Sequence, residues 1–520
     1  METYHCDVLV VGSGIAGVTA AIRAARGGAS VCVASLGDTF SGSSFYGGTW
    51  GLGLVGPLDE DDAQDFEQTI LKVGSGAANP QLVHALVRGV NPAIAWLEGM
   101  GMHLRVPQDQ SQQAYIPCFD HKTRGWHGLE RDSMRTCFAR QMRELGVCVL
   151  GNTELVDIAE NEGVVAGAYL ADHARGSMLE VRCRSIVLAS GGMAGLYQHR
   201  LTPADNCASV HGIALRHGCR LVNTEFMQIM PAMVAPVEGI VVNEKAFRFA
   251  QLPYSHELLD ERSGYGPFTS RLGSHALDLA IHEAGADGMP ISYRLPSDPP
   301  ELVATYFDWL ERDFGIAATD AVRIGLFAHA SNGGIAIDES TACTGGPAGL
   351  FACGECAGGV HGADRIGGLA SAAALVFGLQ AGKAASEHAR DARRAMAVPA
   401  RQWIRYRQDE ALMTRLRALM DQHALVNRNA EGLREALDQL AHERERLIAH
   451  GEVMPSESAS ACASGHRASN QLLAASTMLT AMLRRTESRG SHHRIDHPGE
   501  DAQLAHAMPL GLDDLGLLKR

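Results

Sequence analysis

Residues 6–17 read CDVLVVGSGIAG, and residues 18–35 continue as VTAAIRAARGGASVCVAS. The valine-rich apolar run that ends at Gly12 predicts a strand buried on both faces. The helical pattern IAGVTAAIRAARGG follows at once and stops at Gly27 and Gly28. ASVCVAS then predicts a second buried strand. A β-α-β sequence within about 30 residues is the unit that builds a parallel sheet. Gly12, Ser13, Gly14, Ile15, Ala16 and Gly17 therefore form a GxGxxG in its diagnostic setting, after a strand and opening a helix. Gly12 permits the tight turn, Gly14 lets the backbone approach a pyrophosphate, and Gly17 lets helix and strand pack closely. The helix N-terminus adds partial positive charge. The second strand ends in Ser35 and Leu36, where a nicotinamide dinucleotide site presents an acid to the ribose. That speaks against NAD and leaves FAD, with ribose contacts from elsewhere.

Three further stretches share the glycine-rich style. Residues 41–48 read SGSSFYGG, whose small side chains and hydroxyls suit close contact with a phosphate and a flat ring. Ser190, Gly191 and Gly192 follow another strand and precede NCASVHGIALRHG. From His329 the chain reads HASNGGIAID, and later GLFACGECAGGVHGADRIGGLASAAALVFG. There a strand ends at Gly354 and Glu355, a loop carries Arg365, and an alanine-rich helix starts near 370. The N-terminus of that helix is placed to aim its dipole at a ring carbonyl. The 57 glycines of the 520-residue chain are concentrated in these loops.

Between them, 37–58 reads as a loop and 61–104 as mostly helical. Residues 226–325 carry more prolines and aromatics with mixed signals, the texture of an inserted domain. Residues 399–450 and 468–486 have helical period, 451–466 is a small-residue linker, and no strong period follows Pro498. The expected organisation is a first part of a dinucleotide-binding domain at 1–225, an insertion at 226–325, its second part at 326–390, a helical domain at 399–498 and a tail at 499–520.

The formal charge is −14, from 59 acidic and 45 basic residues, which argues against nucleic acid as a partner. No apolar run reaches 18 residues, so no membrane span is expected. Glycines and acids near the start argue against a signal peptide. The 12 cysteines follow no regular framework and read as reduced, buried thiols of a cytoplasmic protein.

In this order the four motifs resemble the flavoprotein superfamily of succinate dehydrogenase, fumarate reductase and L-aspartate oxidase, with L-aspartate oxidase the most similar in motifs. VASLGDTFSGSSFYGG is similar to its flavin loop, and RRTESRGSHHRIDHP to the signature that ends its helical domain. The resemblance implies an α/β fold: a Rossmann-like FAD domain, an inserted α+β capping domain at 226–325, and a C-terminal helical domain. It implies non-covalent FAD, because the loop after the second strand lacks the histidine that carries covalent flavin. Ser13, Gly14, Ile15 and Ala16 would then hold the pyrophosphate. Ser41, Gly42, Ser43, Ser44, Phe45, Tyr46, Gly47 and Gly48 would wrap flavin and phosphates. Leu155 and Val156 would meet the adenine through their backbone, Glu355 a ribose, and Ala370 and Ser371 would open the helix over the flavin. His211 stands where the family has an aspartate.

The resemblance further implies hydride exchange between flavin N5 and a carbon of a small carboxylate. Arg365 matches the substrate-binding arginine and His329 the substrate histidine. Arg271 is the local candidate for the arginine that relays a proton. The family's second substrate histidine is Met230 here, which implies that a more apolar part of the ligand sits there. The segment DHKTRGWHGLERDS at 120–133 holds no counterpart of the glutamate that binds the aspartate amine. The electron acceptor or donor stays open among oxygen, a quinone, fumarate and a redox protein. The alternatives are a C=C reductase and an electron-transfer subunit working with an iron–sulfur partner.

Other constellations carry less. Cys353 and Cys356 form a C-x-x-C that reads as two packed thiols, with an exchangeable disulfide as the other reading. His121, Arg124, His127, Arg131 and Arg135 read as a solvated basic face or as the wall by which a negative ligand enters. His492, His493 and His497 lack a completing carboxylate pattern, so no metal site is expected.

Overall fold

The computed structural model describes residues 1–107, 116–392, 398–399, 403–406, 411–454 and 462–516. Residues 455–461 of the expected linker and 517–520 of the tail lie outside these. The centre is a five-stranded parallel sheet of β1 (Val8–Val11), β2 (Val31–Ala34), β3 (Cys148–Leu150), β4 (Ser185–Leu188) and β5 (Leu350–Ala352). Its order is β5-β4-β1-β2-β3. All four residues of β1 are buried, as a strand covered on both faces requires. The helices Ile15–Arg26 and Leu369–Asp391 pack on one another beside it. Gly12 takes φ +112°, and a Cβ there would stand 2.2 Å from the Ala189 carbonyl oxygen. A Cβ on Gly17 would stand 2.0 Å from the Gly12 oxygen, so this glycine sets how closely helix and strand approach.

The insertion is built on a three-stranded sheet in which Val322–Ser331 lies between Met227–Ala235 and Met289–Ile291. The strand Val322–Ser331 runs straight through the expected 325/326 boundary, because its antiparallel pairing with Met227–Ala235 continues to Ser331. The helices Leu412–Ala424, Ala430–Ala449 and Ala463–Arg484 follow. Their apolar faces share one core with the insertion, joining Leu416, Leu472 and Met478 to Ile229, Leu277 and Ile324. No helix among the described residues is long and apolar enough to cross a membrane.

Three local expectations are corrected. The 37–58 segment is not loop throughout: Leu52–Gly56 pairs antiparallel with Gly125–Leu129, a partner that local composition does not reveal. Residues 403–406, expected as helix, form a strand against Gly451–Met454, with Trp403 buried edge-on to Tyr169. The strand expected at 180–190 is two strands, Ser177–Arg182 and Ser185–Leu188, in different sheets.

Candidate active site

A cavity of about 880 Å³ opens where the sheet, the insertion and the helix Leu369–Asp391 meet. That lies within the range of cofactor sites. One wall is the C-terminal edge of β1 and β2: Gly12, Ser13, Gly14, Ile15, Ala16, Ser35 and Leu36 all line it. Gly14 caps the first helix with no side-chain hydrogen bond, so the positive end of that helix opens on the cavity. Ser41, Gly42, Ser43 and Ser44 form the next wall, Leu155 and Gly191 a third, and Ala370 and Ser371 cover it from the start of the long helix. This cradle fits the shape and charge of FAD: a glycine turn on a helix N-terminus for the pyrophosphate, and a second helix N-terminus toward the deep end.

The serines also brace one another. Ser13 Oγ lies 2.8 Å from Ser35 Oγ, Ser35 Oγ lies 3.2 Å from Ser41 Oγ, and the Phe40 amide donates to Ser13 Oγ at 3.1 Å. The loop is stitched from outside by two residues that local patterning does not single out. The Gly42 amide donates to Asp205 Oδ2 at 3.0 Å, and Asn206 Nδ2 donates to Ser43 Oγ at 3.1 Å.

Several expected cofactor residues stand behind the wall rather than in it. Phe45, Tyr46, Gly47 and Gly48 do not line the cavity. Tyr46 instead donates to the Gly239 carbonyl at 3.2 Å, and Phe45 packs under Arg135. Val156 points into a separate apolar cluster with Trp403. Gly192 lies against the Glu355 carboxylate. His211 is fully buried outside the lining, where burial holds its pKa at about 4 and the ring stays neutral. Gly17 packs helix on strand, as above.

The deep end carries the chemistry. Arg365 donates from Nη2 to Gln228 Oε1 at 2.5 Å. Burial lowers the Arg365 pKa to about 10, so it stays cationic at neutral pH. His329 opens on the same cavity; burial first, then the Arg365 charge, lowers its pKa to about 3, so the imidazole is neutral. Its Nδ1 is buried without a partner, and so is Nε2 of Gln228, whose side chain is 1% exposed. Met230 lines the wall two residues on, along the same face of the strand. Glu244 and Cys118 close it, the thiol donating to Glu244 Oε1 at 3.2 Å. Glu355 accepts from the Ser331 amide at 2.9 Å, and burial raises its pKa to about 6.

Arg271 is not brought to this site. It precedes the helix His275–Glu283, lies outside the lining and is about a third exposed. Its guanidinium donates to the Val73 carbonyl at 3.5 Å and lies 3.9 Å from Glu500. The basic cluster at 121–135 divides. Arg124 is buried among Asp62, Asp65 and Asp120, and His121 lies beside Asp65 and Asp120. Of the five, only Arg131 reaches the cavity, where it donates to the Thr49 carbonyl at 2.5 Å. Cys353 and Cys356 are free, buried thiols, and Cys356 Sγ lies 3.4 Å from Ser190 Oγ.

The C-terminal signature acts at a distance. Glu487 lies between Arg485 and Arg489 at 2.8 Å each, all three buried. Arg485 also donates to Glu225 at 2.7 Å, just before the strand that carries Gln228. Ser491 Oγ donates to the Ala363 carbonyl at 3.1 Å, in the loop that carries Arg365. His492 and His493 bond to Arg428 and to the Val426 carbonyl, inside the same scaffold.

Comparison with known proteins agrees with this architecture. The family described as "FAD binding domain" matches residues 7–249 and 280–371, and "Fumarate reductase flavoprotein C-term" matches 413–509. L-aspartate oxidase of Mycobacterium tuberculosis is 27% identical over 532 residues, covering 98% of this chain and 96% of that protein. The Caulobacter vibrioides enzyme of the same name is 28% identical over 515 residues, covering 95% and 94%. In fold, the chain is similar to a chain of the Mycobacterium smegmatis Sdh1 complex, with TM-score 0.79, 24% identity and coverage of 97% and 91%. It is likewise similar to a chain of E. coli quinol fumarate reductase, with TM-score 0.78, 20% identity and coverage of 96% and 93%. The chain belongs to the FAD-binding flavoprotein family of succinate dehydrogenase, fumarate reductase and L-aspartate oxidase, and is an FAD-dependent oxidoreductase.

Proposed function

We propose that the Arg365 end of the cavity binds the carboxylate of a small organic acid, and that a hydride passes from a substrate carbon to flavin N5. The observation that carries this reading is the Arg365–Gln228 pair. The guanidinium is already oriented by Gln228 Oε1, while Gln228 Nε2 and His329 Nδ1 remain buried and unpartnered beside it. A buried polar group left without a partner costs about 1–3 kcal/mol, and a bound carboxylate oxygen relieves that cost. The neutral His329 then acts through a hydrogen bond rather than a charge.

Bound FAD supplies the two-electron acceptor. The substrate C–H bond breaks with its electron pair leaving as hydride, and a proton leaves the neighbouring atom, so that a double bond forms between them. Glu244 is the carboxylate placed to take that proton, with Cys118 donating to its other oxygen. Arg271, paired toward Glu500, is left out of this route. The names of the relatives point to carboxylates as the substrate class. Anaerobic addition of a panel of small carboxylates tests the reading. Loss of the flavin's visible absorbance with at least one of them supports it, and an unchanged spectrum with all of them refutes it.

A further inference from the structure

The deep end of the cavity is unevenly charged. Arg365 is its cation with Glu355 close enough to act on it, and Glu244 lines the same cavity beside Cys118. The remaining wall is Met230, 9% exposed, and Cys118, whose thiol burial pushes up to about 12 and so keeps protonated. Gly266 makes the room between them. A Cβ on Gly266 would meet the Met230 methyl at 3.4 Å, Glu244 Oε2 at 3.8 Å and Cys118 Sγ at 4.0 Å. Ligand atoms in that space touch one methyl, one thiol and one carboxylate oxygen.

Glu244 Oε2 faces this space and, among the described residues, takes part in no ion pair. Arg262 lies close enough to feel its charge but is committed elsewhere. It donates to Asp278 Oδ1 at 2.9 Å and to the carbonyls of Tyr265 and Gly266. Neither Arg262 nor Lys245 lines the cavity. A ligand with two carboxylates would thus put one on Arg365 and force the other against Met230 and Glu244. Like charges juxtaposed in a desolvated site are strongly disfavoured. A ligand with one carboxylate and one amino group meets a charge of opposite sign at each end.

Resting on the carboxylate reading above, we propose that this site selects a neutral α-amino acid with an apolar side chain over any dicarboxylate. The carboxylate lies on Arg365 and Gln228, the amino group faces Glu244, and the side chain lies on Met230 in the space left by Gly266. The match is one of charge: Arg365 meets the carboxylate, Glu244 the amino group and the Met230 thioether the side chain, while Glu355, the carboxylate on the Arg365 side, is engaged by the Ser331 amide.

The test is equilibrium binding to the FAD-loaded protein, read from the perturbation of flavin absorbance. The probes are L-norvaline and L-methionine on one side, and succinate and L-aspartate on the other, applied to wild type, Glu244→Gln and Arg365→Ala. The expected result is that a neutral amino acid binds at least about tenfold more tightly than either dicarboxylate. Glu244→Gln should weaken the amino acids about tenfold and improve succinate, because it removes the attraction in one case and the repulsion in the other. A merely structural role for Glu244 would shift all four probes together, and that outcome overturns the proposal. If a dicarboxylate binds more tightly than both amino acids and Arg365→Ala abolishes that binding, selection for amino acids is wrong while the carboxylate site stands. If binding of every probe is indifferent to Arg365→Ala, both readings fall.

Discussion

Arg365 and Gln228 are 137 residues apart in the chain and meet at 2.5 Å in the wall of the cavity. The first comes from the loop that precedes the long helix, the second from Met227–Ala235, an edge strand of the three-stranded sheet. The substrate end of the site therefore exists only when insertion and flavin domain are docked. Gln228→Leu keeps the volume but removes the orienting acceptor. It should raise KM for the substrate about tenfold while FAD content is unchanged, as the loss of a charge-assisted hydrogen bond predicts. Steady-state kinetics on FAD-saturated protein checks this.

Arg271→Ala should be nearly silent. Its contact to Glu500 is 3.9 Å long and part-exposed, and such pairs contribute about 0–1 kcal/mol. Expected are a kcat within about twofold of wild type and a Tm within a few degrees. Loss of turnover with FAD retained would restore Arg271 as the proton relay.

Gly12→Val should give protein without flavin. The residue holds φ +112°, and a Cβ would come within 2.2 Å of the Ala189 oxygen, at the turn that approaches the pyrophosphate. The readout is the ratio of flavin to protein absorbance after purification, with far-UV circular dichroism as the control for folding.

Glu487→Gln should cost stability out of proportion to its size. It removes the carboxylate shared by Arg485 and Arg489, leaving Arg485 only Glu225 and Arg489 only the part-exposed Glu500 as ion-pair partners among the described residues, and breaking a buried ion pair typically costs about 3–5 kcal/mol. Because the same network ties down Glu225 and, through Ser491, the Ala363 carbonyl, the surviving folded protein should also bind substrate more weakly.

Asp364 gives a pH signature. It is buried and accepts from Thr269 Oγ1 at 2.9 Å, and burial raises its pKa from 3.8 to about 7. A raised folded-state pKa means the folded protein holds this proton more tightly. Its contribution to stability is therefore fully present at low pH and is lost as pH climbs from about 4 to 7. Asp364→Asn, which keeps an acceptor for Thr269, should flatten the fall of Tm over that interval. An unchanged slope would mean the carboxyl is not the titrating group.

The flavin cradle was legible because its information is local. A valine run, a glycine turn and an alanine helix within 30 residues specify β1, the first helix and β2, and Gly12, Ser13, Gly14, Ile15 and Ala16 line the cavity as the pattern requires. Arg365 and His329, singled out by motif, both line the cavity. Arg271 is the candidate reached by counting back from Gly285, Ala286 and Asp287, which lands within one residue of it. The helix starts only at His275, and in the turn before it residue spacing no longer maps onto direction. Glu244, Cys118, Asp205 and Asn206 had no local signal, since each acts through a partner more than a hundred residues away. Gln228 and Met230 carried one readable cue, the two-residue spacing that puts both on one face of a strand.

The most direct test of carboxylate binding at this site is the Kd of a flavin-bleaching carboxylate for wild type and for Arg365→Ala at equal FAD content. If Arg365 and Gln228 grip the carboxylate, the variant's Kd rises about tenfold to a hundredfold. An unchanged Kd would contradict it.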